Sequence, residues 1–321
     1  MIKSPLPSFF AFIISTLLSS DVSPADDIVI VGGNGVDCIE DPGCVNRLHP
    51  DIPMAARAKP GQTILFRARD ARDVLGAAAA QTSEPDTLTN EFGRVHPITG
   101  PVYIEGAVAG DVLKVTLNNI DPGSYAYTSG GSSGFIPDLV GGQSLVIWRL
   151  NRDYAESDDL PGIRIPNGSF PGVVTTMPGR NQLQAMLDRE QELADAGGRV
   201  SLPSADFADP AALCGPGGSA TSDCLRTIPP REHGGNMDIR YLKAGVSIYL
   251  PCFIDGCGLA IGDLHYAQGD GEVSGTAIEM SADVWATTEV LKNGPDLSRG
   301  PHYEGSAQLL DIPSRRFYAV T

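Results

Sequence analysis

Apolar and polar residues alternate with a period of two from Thr63 to Ala71 and again from Val102 to Leu117. Side chains of an extended strand point to opposite faces in turn, so this period predicts antiparallel strands, broken at Ala109-Gly110-Asp111 and Asp121-Pro122-Gly123-Ser124. One segment has a different period. In residues 180–198, Leu183, Met186, Leu187 and Leu193 fall on a helical stripe that Gly197 stops, which predicts a packing helix or lid. Residues 204–224 read as a small-residue loop and 294–305 as a closing loop, while strand character and polar residues are both densest from Ile228 to Leu291. The 37 glycines and 25 prolines sit between apolar segments, where turns belong, and argue for many short strands rather than disorder. With 321 residues the chain can bury a sizeable core, as one large β-rich domain or two intimately packed β subdomains.

The pattern breaks informatively in "GDLHYAQGDGE", residues 262–272. Leu259, Ile261, Asp263 and His265 share one strand parity, so an apolar face ends in a carboxylate and an imidazole. Such groups at the rim of a core are costly unless paired, hydrogen-bonded or bound to a metal, which points to a functional cleft. Part of the polarity is turn chemistry, since Gly269-Asp270-Gly271 suits a hairpin.

Charge narrows the partners. The net charge of −16 and a pI of about 4.6 repel phosphate backbones and anionic lipid, and no basic patch offsets them, so nucleic acid is excluded as a partner. Residues 1–25 read as a signal peptide: Lys3, an apolar run from about Phe9 to Leu18, then small residues around Ser23-Pro24-Ala25. The run is short for a membrane span, so no membrane association is expected after cleavage, and residues 26–321 form the mature protein. Six cysteines fall into close pairs, Cys38 with Cys44, Cys214 with Cys224 and Cys252 with Cys257, which suits local disulfides in an oxidising compartment. The expected location is secreted or periplasmic.

Two motifs are set aside. "DIVIVGGNGVDC" lacks the third glycine and the helix opening of a dinucleotide site, so it reads as a strand and turn and no organic cofactor is expected. Ser132 in "SGGSSGF" satisfies G-x-S-x-G, but the following "FIPDLVGG" cannot form the helix that a nucleophile elbow needs, so this is a flexible loop near the active site.

Four segments, "HPITGPVYIEGAVAGDVLKV" (96–115), "PGRNQLQAMLDREQELADAGGRV" (178–200), "IPPREHGGNMDIRYLKAGVSIYLP" (228–251) and "GDLHYAQGDGEVSGTAIE" (262–279), together resemble the acetamidase/formamidase family of amidohydrolases. The resemblance implies a mainly β fold of jelly-roll-like and barrel-like layers with one or two helices, assembly into a homo-oligomer, and hydrolysis of a small linear amide to a carboxylate and ammonia. The chain departs from the family pattern in its leader and cysteine pairs, in "FPGVVTTMPG" where a Phe-Gly-x-x-Gly strand is usual, and in His233 where Asn is usual. A non-catalytic small-ligand binding protein that kept the fold after export is the alternative.

Amide hydrolysis needs a polarised carbonyl, an activated water and a proton for the departing nitrogen. Asp263 and His265 could grip a divalent ion, zinc foremost, with Asp238 as third ligand; equally, Asp263 could orient His265 as a general base. Glu105, in the apolar "VYIEGA", is the expected proton shuttle, or else the partner of a buried arginine such as Arg231. Glu272 could do either job, provided a bulge brings it to the face of His265. Gly234-Gly235 and Asn236 are candidate oxyanion donors, His96 is expected at the mouth, and His49 and His302 on the surface.

Overall fold

The structure, a computed structural model, describes residues 28–310 apart from 35–36, 74–91, 132–133, 136 and 140–143. The leader and Ser132 lie outside the described residues. Among the described residues, fifteen strands join one sheet in which most neighbours are antiparallel. Eight of them frame the site: β1 (Ile64–Ala68), β2 (Ile98–Ile104), β3 (Val112–Gly130), β4 (Phe170–Thr175), β5 (Gly234–Asn236), β6 (Ser247–Pro251), β7 (Cys257–His265) and β8 (Glu279–Leu291). The mainly β class and the two alternating segments are therefore as expected, although 102–117 splits between β2 and a β3 that runs on to Gly130. Within 294–305 the segment His302–Glu304 adds a short strand to β6.

The sheet bends around β7, whose nine residues are all buried. β4 pairs with one edge of β7, Phe170 opposite His265 and Thr175 opposite Ala260. The other edge changes partner: β2 covers it as far as Gly262, opposite Ile98, and β8 takes over at Leu264, opposite Met280. Asp263 falls at that change, in a left-handed conformation with φ of 54°. Just before it, a Cβ on Gly262 would meet the Pro97 carbonyl at 2.6 Å, so only glycine lets the two chains approach so closely. Apolar side chains of β1, β2, β3, β6, β7 and β8 meet in the main core, each fully buried Leu, Ile or Val contributing about 1.5–3 kcal/mol.

The helix α1 (Arg180–Asp195) buries Leu183 and Met186 against a second cluster that includes Val173, while Leu193 is exposed. It also carries Glu190, whose buried carboxylate takes Arg231 at 2.6 and 3.0 Å. Arg231 is thus the partner of Glu190 and not of Glu105. The three cysteine pairs are disulfides as expected: Cys38–Cys44, Cys214–Cys224 and Cys252–Cys257. His302 is exposed, but His49 is buried, which corrects the surface expectation for that residue.

Candidate active site

Five strand ends meet at the carboxyl end of β7. β7 brings Asp263 and His265; β8 starts at Glu279, directly opposite His265; the chain entering β2 brings His96; the chain leaving β5 brings Asp238; and β4 brings Gly172. The 266–278 connection is wider than the tight hairpin that its glycines suggested. It folds back with Glu272 in a left-handed conformation, φ 41°, and this swings the carboxylate towards His265, as the bulge requirement anticipated. Asp238, also left-handed, is pinned by the Gly172 carbonyl, which accepts from the N–H groups of Met237 at 2.9 Å and Asp238 at 3.3 Å.

The distances are those of an open cluster rather than a closed hydrogen-bond network. Nε2 of His265 stands 3.4 Å from Asp263 Oδ1, 3.3 Å from Glu279 Oε2 and 3.9 Å from Glu272 Oε1, and His96 Nε2 is 3.7 Å from Asp263 Oδ2. The edge of Phe170 closes one side of the His265 ring, with centroids 5.0 Å apart. Asp238 Oδ1, Glu279 Oε2 and both His265 ring nitrogens are buried without a hydrogen bond. Buried polar atoms left in this way call for a missing partner. A Cβ on Gly172 would meet Asp263 Oδ2 at 2.6 Å, Asp238 Oδ1 at 2.8 Å and His265 Cε1 at 3.0 Å, so the absent side chain of Gly172 leaves the space between the three groups.

Charge follows from this crowding. Burial, then the negative charges of Asp263 and Glu279, push Asp238 up to about 7 despite His265. Burial, then Asp238 and Glu279, push Glu272 up to about 9. Burial opposes the charged form of His265, but Glu279 and Asp263 outweigh it and raise the imidazole well above its usual range. Burial acts against the charged form of Asp263 as well, yet His96 and His265 outweigh it and hold the carboxyl down at about 2.

Two donor sets could hold a cation, Asp238 with Asp263 and His265, and His265 with Glu272 and Glu279, each with its donor atoms within 4.8 Å of one another. Ligands held tetrahedrally about 2.0–2.1 Å from zinc lie roughly 3.3 Å apart, close to the spacing seen between His265 and Asp263. Carboxylates with imidazole suit a divalent ion, and the unpartnered oxygens and nitrogens fit one.

Of the residues singled out from sequence, Asp238, Asp263, His265 and Glu272 come together, with His96 beside them. Asn236 sits two residues before Asp238, opposite Val173, with a buried and unpartnered Oδ1. Gly234 is not an available donor, because its N–H bonds the Arg231 carbonyl at 3.0 Å, and Gly235 lies within the ladder opposite Val174. Glu105 is misplaced by the sequence reading. It is half-buried in the turn after β2, beyond the pairing of Tyr103 with Cys257, and thus at the opposite end of β7 from His265, a strand about 26 Å long. His233 belongs to the packing: its ring meets Thr175 Oγ1 at 2.7 Å, and burial, then Arg231, lower it to about 3. Sequence reasoning missed Glu279 and Gly172. Glu279 carries one visible signal, a lone acid before Met280 in the apolar "TAIEM".

A cavity of about 820 Å³ opens beside the cluster, lined by Glu272, Gln268, Asp270, Arg240, Lys243 and Asn167 among others. Small-molecule cavity, buried titratable groups and strand-end geometry together define a β-sheet protein with a carboxylate–histidine centre of the kind that enzymes use. The chain belongs to the acetamidase/formamidase family, whose sequence profile matches residues 37–307. It is 33% identical over 275 residues to an acetamidase of Mycolicibacterium smegmatis, covering 78% of this chain and 66% of that protein. It is 32% identical over 265 residues to a formamidase of Methylophilus methylotrophus, covering 78% of this chain and 64% of that protein. The chain therefore spans slightly less than two thirds of these relatives. Its fold superposes on a gamma lactamase from Delftia acidovorans with a TM-score of 0.79, at 28% identity, over 87% of this chain and 72% of that one. An acetamidase from Bacillus halodurans shares the fold at a TM-score of 0.60 and 23% identity, over 78% and 70% of the two chains.

Proposed function

We propose that the protein is an amidohydrolase that cleaves the carbon–nitrogen bond of a small amide, giving a carboxylate and ammonia. The carrying observation is the convergence of Asp238, Asp263, His265, Glu272 and Glu279 beside a cavity, in a chain of this family. Asp238, Asp263 and His265 are the residues that would hold a divalent ion, zinc first. Such an ion supplies Lewis acidity, polarising the amide carbonyl and acidifying water. Glu279 faces the same His265 Nε2 from across the strand pair and adds negative charge there, and Phe170 closes one side of the ring edge-on.

Glu272 is the group suited to proton transfer, because it borders both cluster and cavity. Its carboxylate takes a proton from water as the water oxygen bonds to the carbonyl carbon. The carboxyl then returns that proton to the amide nitrogen as the C–N bond breaks, and ammonia leaves. Burial and then the acidic neighbours hold Glu272 high, and positive charge entering the cluster would lower it towards the range where a general base works best.

The leader-like residues 1–25 and the three disulfides support a location outside the cytoplasm, secreted or periplasmic. The test of the catalytic reading is ammonia release from formamide, acetamide and a panel of short amides, before and after chelation and with zinc restored. No ammonia from any of them, with or without metal, overturns it.

A further inference from the structure

The cavity is large beside the smallest amides, and it carries a lysine with no ion-pair partner among the described residues. Acetamide has four heavy atoms, comparable to four waters and so roughly 120 Å³ at about 30 Å³ each. The cavity is about 820 Å³. The segment that follows Asp238 forms part of its wall, with Arg240 and Lys243. Arg240 is held by Asp270, Nε to Oδ1 3.0 Å. Lys243 is half-buried and has no salt-bridge partner among the described residues. A Cβ added to Gly168 would lie 4.0 Å from both Lys243 Nζ and the Tyr266 carbonyl oxygen, which places the ammonium beside the chain that leaves β7.

An ammonium that lines a pocket without a carboxylate partner can take an anion there through charge-assisted hydrogen bonds. In a chain of net charge −16, a lysine left without a carboxylate is not explained by scarcity of partners. Nearer the cluster, Gln268 donates through Nε2 to the Asp238 carbonyl at 3.1 Å, which leaves its buried Oε1 without a donor. A substrate N–H₂ group satisfies that oxygen. Lys243 and Gln268 line the same cavity. Lys243 is five residues from Asp238, so their Cα atoms are at most about 17 Å apart, and a turn from Ile239 to Leu242 shortens this.

We propose that the substrate is a monoamide of a short dicarboxylic acid, its amide end at Glu272 and Gln268 and its carboxylate on Lys243, with Arg240 behind. This rests on the amidohydrolase reading and specifies its substrate class. For succinamate, water adds its oxygen to the amide carbon, the C–N bond breaks, and the products are succinate and ammonium.

The experiment compares kcat/KM for succinamate with that for butanamide, which replaces the carboxylate by a methyl end, in the wild-type protein and in Lys243→Met and Lys243→Arg. The expected result is a preference for succinamate of at least tenfold, reduced to near parity in Lys243→Met through a higher KM and largely kept in Lys243→Arg. Equal rates on the two amides in the wild type, or an unchanged preference in a folded Lys243→Met, overturn the proposal. If no amide is turned over, the amidohydrolase reading has failed instead. Calorimetry with succinate then decides the anion site: binding lost in Lys243→Met sustains it, and no binding by the wild type ends it.

Discussion

His265 and Glu279 are direct cross-strand partners, the first at the end of β7 and the second at the start of β8, and their side chains meet with Nε2 3.3 Å from Oε2. Neither position alone marks a centre. The pairing register puts a second carboxylate at the same Nε2 that Asp263 faces, and the two negative charges together favour the charged ring.

Replacing His265 by Ala should therefore remove bound divalent metal and amide turnover together, while Glu279→Gln should retain the fold and weaken metal affinity by about 10–100-fold. Elemental analysis beside the ammonia assay checks both. A wild-type protein that is metal-free and indifferent to chelation, yet inactivated by His265→Ala, would instead make His265 a base oriented by Asp263.

The stability of metal-free protein should fall as pH rises through the neutral range. Asp238 and Glu272 are raised in the fold to about 7 and about 9. Between their ordinary carboxylate values and these, the folded state holds more protons than the unfolded one, so raising pH favours unfolding. His265 acts in the same sense: its raised value stabilises the fold below the ordinary imidazole range, and that contribution is lost as pH climbs through the folded value. Thermal unfolding of chelated protein from pH 5 to pH 9 should show a falling midpoint, and added zinc should flatten the trend. A midpoint that rises across this window would contradict the crowding of carboxylates described above.

Glu105→Gln should keep amide turnover within about threefold of wild type, since a proton shuttle worth about 10²-fold or more must reach the reacting atoms. Steady-state rates on any active substrate test this. A hundredfold loss would mean that Glu105 acts on the centre from the other end of the sheet.

Glu105 also shows what can be read from sequence and what cannot. Period-two alternation reports locally on each strand, so β1 and β2 were legible, as was α1 from Leu183 and Met186. The shared parity of Asp263 and His265 was legible for the same reason. An acid within an apolar strand reveals that the position is unusual but not which end of the sheet it occupies, and so Glu105 was singled out while Glu279 was missed. Their difference lies in long-range pairing, Tyr103 with Cys257 at one end and His265 with Glu279 at the other. Glu272 depended on a backbone turn whose left-handed residue is not a glycine, which composition does not signal.

Gly172 offers the most discriminating single change. Its φ is not left-handed, so alanine strains nothing in the backbone, and the effect of Gly172→Ala must come from the added methyl. That methyl would sit between Asp263 Oδ2, Asp238 Oδ1 and His265 Cε1, all at 3.0 Å or less, in the space where a shared ligand of the three groups belongs. The variant should fold with a melting temperature lowered by the overpacking, bind zinc at least tenfold more weakly and lose on the order of 10²-fold in kcat/KM, because displacing a donor by even 1 Å costs that much in a positioned site. Zinc titration by calorimetry and the ammonia assay give the two readouts. A variant that binds zinc and turns over amide normally would place the reacting centre elsewhere, leaving the strand-end cluster as a buried ionic network alone.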